Sequence, residues 1–461
     1  MSESVATVAS ENAGAVAWEP RIVALVCNWC TYSGADMAGT SRRGHAANAR
    51  IVRFLCTGRL DPLFVVKAFE NGADAVIASG CHPGDCHYVQ GNYLARRRLT
   101  VFRSLMEFLG LDPRRLHFAW VSASEGIKWA ATVDQVTEVV RELGPVGRWA
   151  APPLEGLEQF ALPEPDAEPR ASTDTAGLTE QLREAAAALL AEGGASVVLG
   201  YAEGSLPGQR VPIFVTEPAE AARLVWDESC AANLTVYLPD AVRRRHGDGK
   251  VAIVVKACDA KAVTGFLREN QLVREDVVLV GVACEGVRLE GRLAYKCYEC
   301  AEGVPAGADV VVGEVAAARA TAPDPRDAQI AALEALEPAE RWEYWQRQLD
   351  RCIRCYACRA VCPLCYCGTC VAEKNQPQWI SKAADGPGNT AWNVARAMHL
   401  AGRCVGCDEC ARVCPSEIRL DLLNRRVAQE LQTSFGYRAG LDASVPPPLT
   451  TFRPDDPGEF L

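Results

Sequence analysis

CIRCYACRAVCP, residues 352–363, and CVGCDECARVCP, residues 404–415, are two copies of one spacing. Cys352, Cys355, Cys358 and Cys362 read C-x2-C-x2-C-x3-C and run into Pro363; Cys404, Cys407, Cys410 and Cys414 repeat that spacing and run into Pro415. Such a run of thiolates holds a cubane [4Fe–4S] cluster, and where two runs share a fold the fourth cysteine of each crosses to the other cluster. A single C-x-x-C carries little weight, because zinc sites and redox motifs share it. Zinc also takes four thiolates at short spacing, but two complete runs with their prolines favour iron–sulfur. The motif therefore predicts electron transfer.

The rest of the chain sets the surroundings. Its 461 residues suffice for about two to four domains, and a charged fraction of 23% is ordinary for a globular protein. A net charge of −10 argues against nucleic acid as a partner. The start, Met-Ser-Glu-Ser-Val, lacks the basic and apolar regions of a signal peptide. No apolar run approaches the roughly 20 residues of a membrane helix, so the expected location is cytoplasmic, with no membrane span. In a reducing cytosol clustered cysteines are metal ligands more often than disulfides, and an odd total of 21 does not suit a full disulfide framework. The six histidines lie in no nucleophile-elbow context, so no catalytic residue is assigned.

The pattern predicts two small parallel-sheet α/β domains followed by an all-α dicluster ferredoxin domain. Residues 1–20 read as a leader. In residues 21–145, short apolar runs at 22–26, 51–55 and 75–78 alternate with helical segments, such as 62–70 with Asp61 as N-cap. Residues 146–180, rich in proline, read as a linker. Residues 181–326 repeat the α/β pattern, with strands expected at 196–199, 251–255, 277–282 and 310–312. From 327 to 433 the apolar spacing is helical: Ile330, Leu333 and Leu336, then Trp342, Trp345 and Leu349, whose tryptophans read as core. Residues 434–461 read as an irregular tail that wraps a neighbour.

Cys27, Cys30, Cys56, Cys81 and Cys86 all fall at carboxyl ends of expected strands, where parallel sheets gather their ligands. The stretches CNWCTYSGADMAGTSR (27–42), RFLCTGRLDP (53–62), GADAVIASGCHPGDCHYVQGNY (72–93) and WVSASEG (120–126) resemble the delta subunit of methyl-viologen-reducing hydrogenase. That resemblance implies one [2Fe–2S] cluster and a role passing electrons from a hydrogenase or formate dehydrogenase to a heterodisulfide reductase. Four ligands are needed and five cysteines are present, so one is a spare. His82 and His87 flank Cys86 and suit hydrogen bonding to cluster sulfur better than ligation.

Cys258 in KACDAK, Cys284 in VACEGV, and Cys297 with Cys300 in KCYEC are expected to enclose a further [4Fe–4S] cluster, with zinc or no metal as the alternatives; Cys230 stands alone. Residues 251–314 resemble the beta subunit of coenzyme F420-reducing hydrogenase, which implies FAD as an alternative cofactor, although no G-x-G-x-x-G follows a strand. A helix expected at 390–400 separates the twin runs, and residues 327–433 resemble the dicluster domains of heterodisulfide reductase. By that resemblance one cubane takes Cys352, Cys355, Cys358 and Cys414, and the other takes Cys404, Cys407, Cys410 and Cys362. Cys365, Cys367 and Cys370 are left as spares beside the clusters or as part of an additional one. The expectation is an electron-transfer subunit linking a hydrogenase or formate dehydrogenase to a flavin-containing heterodisulfide-reductase-like partner. The alternatives are an FAD-dependent reductase acting on F420 or NAD(P), and a zinc-stapled scaffold.

Overall fold

In the computed structural model, residues 18–147, 160–172, 174–244, 249–314 and 319–456 are described; almost all of the expected leader lies outside them. The first sheet consists of β1 (Ile22–Cys27), β2 (Ala49–Phe54), β3 (Ala75–Gly80) and β4 (Leu116–Trp120), all parallel, in the order β2-β1-β3-β4. The period of two divides its central strands. Ile22, Ala24, Val26, Ala75 and Ile77 face α4 (Gly126–Leu143) and α1 (Thr31–Thr40). Leu25, Val76 and Ala78 face α2 (Pro62–Glu70) and α3 (Gly91–Phe108). Asp61 caps α2 as expected, its carboxylate accepting from Leu63 N at 2.9 Å. Edge strand β2 is largely exposed and ends at Phe54, before Leu55.

The second sheet has the order β11-β8-β7-β5-β6: β5 (Val197–Glu203), β6 (Arg210–Val215), β7 (Val251–Val255), β8 (Val277–Val282) and β11 (Val310–Val312). It is mixed rather than parallel, because β6 runs antiparallel to β5. Pro212 lies in that strand, and an edge position tolerates a residue with no N–H to give. Helices α5 (Ala176–Ala191), α6 (Leu238–Arg244) and α7 (Ala257–Arg268) belong to this domain, as does a short hairpin, β9 (Arg288–Leu289) with β10 (Arg292–Leu293).

Thereafter the described residues are helical or looped: α8 (Pro325–Glu334), α9 (Pro338–Asp350), α10 (Ala357–Ala360), α11 (Gly386–His399), α12 (Glu409–Arg412) and α13 (Leu420–Phe435). This helical module has no core apart from its neighbours. Leu63, Phe102 and Phe108 of the first domain share one core with Leu333, Trp345, Trp392 and Leu423. Leu364 and Leu400 pack instead into the core of the second sheet. Trp345 is buried edge-on against Phe108, 5.4 Å between ring centroids, so its role is packing.

Two segments expected to be loose are tied down. Of the proline-rich stretch 146–180, Phe160 and Leu162 pack on the shared core, and Arg170 is buried with its guanidinium on the carbonyls of Cys297 and Cys300. The C-terminal tail folds back on α3 of its own chain. There Arg97 holds the Asp456 carboxylate through two hydrogen bonds, and Tyr93 stacks on Phe452 at 4.6 Å.

The junction between α3 and α9 is tight at Gly110, where φ is +97°. A Cβ there would lie 2.3 Å from Pro338 O and 2.5 Å from Trp342 N, both backbone atoms that cannot swing aside. Gly110→Ala is therefore expected to cost about 3 kcal/mol or more. Gly39→Ala, on an exposed turn of α1 with nothing within 4 Å, should instead be neutral or stabilising by up to about 1 kcal/mol. Thermal unfolding of the two variants checks both signs.

Candidate metal centres

The order β2-β1-β3-β4 places a topological switch between β1 and β3, the crevice where open α/β sheets bind ligands. Cys27 ends β1 and Cys81 directly follows β3, so the two thiols meet there with Sγ atoms 3.7 Å apart. Cys30, the N-cap of α1, joins them: the sulfurs of Cys27, Cys30 and Cys81 all lie within 4.8 Å of one another. Cys56, just beyond β2, and Cys86 form a second pair at 3.8 Å. Two thiolates on one tetrahedral metal at about 2.3 Å stand about 3.8 Å apart, so both pairs have the spacing of ligands sharing one atom. Gly91, which opens α3, leaves room for the second pair, since a Cβ there would lie 2.3 Å from Cys56 Sγ.

Backbone donors already face these sulfurs. Cys30 N points at Cys27 Sγ and Gly58 N at Cys56 Sγ, each at 3.4 Å. With Cys81 donating to it, the Cys27 thiol is held down to about 5, while Cys81 is pushed up in return. Burial pushes Cys56 up to about 11. The histidines are otherwise engaged: His82 Nε2 lies 2.7 Å from Glu125 Oε2, and His87 stacks on Trp29 at 3.8 Å.

The twin runs fold alike. In each, the residues on either side of the second cysteine adopt left-handed backbone, Arg354 and Tyr356 around Cys355, Gly406 and Asp408 around Cys407, and a one-turn helix follows. That repeated bend turns three cysteines of a run toward one point. Cys362, Cys404, Cys407 and Cys410 line a single cavity of about 70 Å³, so the fourth cysteine of the first run lies with the first three of the second. Conversely, burial pushes the Cys358 thiol up, and the neighbouring Cys352, Cys414 and Cys355 add to the effect. Burial likewise holds Cys404 at about 11. A buried thiol of this kind gives up its proton only to a metal or a base. Of the three extra cysteines, Cys365 donates its backbone N–H to Cys362 O at 3.1 Å, Cys370 packs on the shared core and Cys367 is exposed.

In the second domain Cys258 lies three residues beyond β7, in α7, and Cys284 two beyond β8, on neighbouring strands of the sheet. Cys297 comes to them from the loop after β10 and accepts from Val287 N at 3.4 Å. Burial pushes the thiols of Cys258, Cys284 and Cys297 all up, Cys284 to about 11. Cys300 is the least enclosed of the four and lies 3.2 Å from Glu302 O. Cys230 is buried alone, pushed up to about 12 by burial.

Several residues around these groups were not anticipated. Asn389, Asn393 and Arg396 fall at i, i+4 and i+7 on α11, a polar stripe on a helix otherwise almost without charge. Asn389 donates to Cys352 O at 2.9 Å and Arg396 to Cys358 O at 2.9 Å. From α13, Asn424 donates to Cys410 Sγ at 3.4 Å. The stripe is visible in NTAWNVARAMHL (389–400) once that helix is known to be buried on nearly every side. Beside Cys258, Lys256 is wholly buried with Asp259 at 2.7 Å and the Tyr201 hydroxyl at 2.5 Å.

Residues 22–144 match the family described as methyl-viologen-reducing hydrogenase, delta subunit, and that span contains all five N-terminal cysteines. Over 128 residues the chain is 48% identical to an iron-sulfur subunit of F420-non-reducing hydrogenase from Archaeoglobus profundus, covering 28% of this chain and 93% of that protein. It is 45% identical over 128 residues to the vhc iron-sulfur subunit of F420-non-reducing hydrogenase from Methanococcus voltae, covering 28% of this chain and 89% of that protein. One subunit of the Ferredoxin:CoB-CoM heterodisulfide reductase of Methanosarcina mazei is 41% identical over 128 residues, 28% of this chain and 16% of that protein. Through residues 22–144, the chain belongs to the methyl-viologen-reducing hydrogenase delta subunit family.

Proposed function

We propose that the protein is an iron–sulfur electron-transfer subunit of a cytoplasmic oxidoreductase complex, relaying electrons between a hydrogenase or formate dehydrogenase and a flavin-containing heterodisulfide-reductase-like partner. The observation that carries this reading is the crossed convergence of Cys362 with Cys404, Cys407 and Cys410 on one cavity, the ligand exchange that two cubane clusters require. Bound there, the clusters supply one-electron exchange. Cys352, Cys355, Cys358 and Cys414 would hold the first cubane, and Cys362, Cys404, Cys407 and Cys410 the second. Cys27 with Cys81 and Cys56 with Cys86 would hold a [2Fe–2S] cluster, leaving Cys30 as the fifth cysteine. Cys258, Cys284, Cys297 and Cys300 are the ligands proposed for a third cubane.

The chain's own residues do the rest. Cys27, Cys81, Cys86, Cys284, Cys297, Cys358, Cys407 and Cys410 are buried away from water while Cys355 is exposed, and the N–H groups of Cys30, Gly58 and Val287, with Asn424 Nδ2, face sulfurs of the proposed ligand sets. Hydrogen bonds to cluster sulfur favour the reduced form and so tune potential. No helix among the described residues is long and apolar enough to cross a membrane.

A second reading, a flavin-dependent reductase, draws on a cavity of about 340 Å³ between the β9–β10 hairpin and α12, bordered by Tyr295, Lys296 and Cys407. A flavin absorbance released on denaturing the purified chain would support it, and a colourless small-molecule fraction would end it.

Anaerobically purified protein should carry about ten irons per chain or more, with matching acid-labile sulfide, because one two-iron and two four-iron clusters need that many. Stoichiometric zinc without sulfide would overturn the reading in favour of a stapled scaffold. Within the first domain, Cys56→Ala should abolish the two-iron electron paramagnetic resonance signal while Cys30→Ala retains it. The reverse pattern would reassign the fifth cysteine.

A further inference from the structure

Arg396 is 4% exposed, and among the described residues no carboxylate pairs with it. The acidic residues that border the same cavity are taken: Asp408 pairs with Arg326, Glu409 with Arg412 at 2.7 Å, and Asp421 with Arg419 at 3.0 Å. The guanidinium makes one hydrogen bond, to Cys358 O at 2.9 Å, and its buried Nε has no partner. A buried cation without a counter-charge is strongly disfavoured, so something at this place must be anionic. The surroundings name it. On one side Arg396 borders the cavity of Cys362, Cys404, Cys407 and Cys410; on the other it holds the backbone of Cys358, a member of the first set.

We propose that Arg396 is the shared counter-charge of the two cubane clusters, a positioning residue whose guanidinium sits between them and raises the reduction potentials of both. The inference rests on the proposed function, since it presumes that the two sets hold clusters. A fixed positive charge stabilises whichever cluster state is the more negative, which is the reduced one. In a low-dielectric interior that effect reaches both neighbours at once. The planar fork also explains the residue type: one edge holds the Cys358 carbonyl while the rest faces the cavity, which a single ammonium does less well. The side chain acts through the clusters and exchanges no electron itself.

The test uses the full chain, purified anaerobically, as native protein, Arg396→Gln and Arg396→Lys. Iron content is measured first, followed by a redox titration monitored by electron paramagnetic resonance. Arg396→Gln is expected to shift both cubane midpoints to more negative potential at native iron content, with Arg396→Lys returning them toward the native values. If the glutamine variant loses cubane iron, the lysine variant must retain more of it, because the positive charge is what the clusters require and the fork only places it. Unchanged midpoints in Arg396→Gln at full iron content would overturn the proposal, as would equal iron loss in both variants. A native chain without cubane iron would instead overturn the functional reading beneath it, which is a separate outcome.

Discussion

Helix α11 is buried on nearly every side, and the geometry of the whole C-terminal module depends on that burial. Gly388 through Met398 are all buried, an arrangement stable only when a helix has neighbours all round. α11 packs against α9, α13 and, across the domain boundary, α2. Its polar stripe meanwhile faces the twin cysteine runs. One rigid element therefore fixes the two runs relative to each other and fixes both relative to the first sheet. The runs themselves are short loops and single turns with little to hold them, so the precision of the sulfur positions is borrowed from α11 and from Asn424 on α13.

The same borrowing shows in the way the three parts share their cores. The first sheet covers one face with α1 and α4 and turns its other face, through α2 and α3, to the helical module. The second sheet takes Leu364 and Leu400 from that module into its own core. The module is thus the middle layer, and removing it would expose apolar surface on both α/β domains.

Much of this was legible in the sequence, for reasons that differ by element. β1, β3, β7 and β8 are short β-branched runs buried on both faces, which is the plainest strand signal. The convergence of Cys27, Cys56 and Cys81 followed from topology alone, because parallel strands end on one rim. The twin runs announced their repeat by spacing. β4, LHFAW, was missed because five residues of mixed polarity carry no clear period. β6 was missed because Pro212 argues against a strand unless the strand is known to lie at an edge. Residues 160–172 read as a spacer from their composition, while the long-range contacts of Arg170 leave no local trace. How the five sulfurs group also needed coordinates: spacing treats Cys27 and Cys30 as a pair, whereas the shortest sulfur contacts join Cys27 to Cys81 and Cys56 to Cys86, with Cys30 beside the first two.

Two kinds of iron–sulfur cluster held by one chain in separate pockets are best distinguished by Mössbauer spectroscopy of iron-57-labelled protein. Iron is expected in both two-iron and cubane environments, with cubane iron in excess by roughly four to one, or more if the second domain also holds a cluster. A single iron environment, or sulfide-free iron, would contradict this.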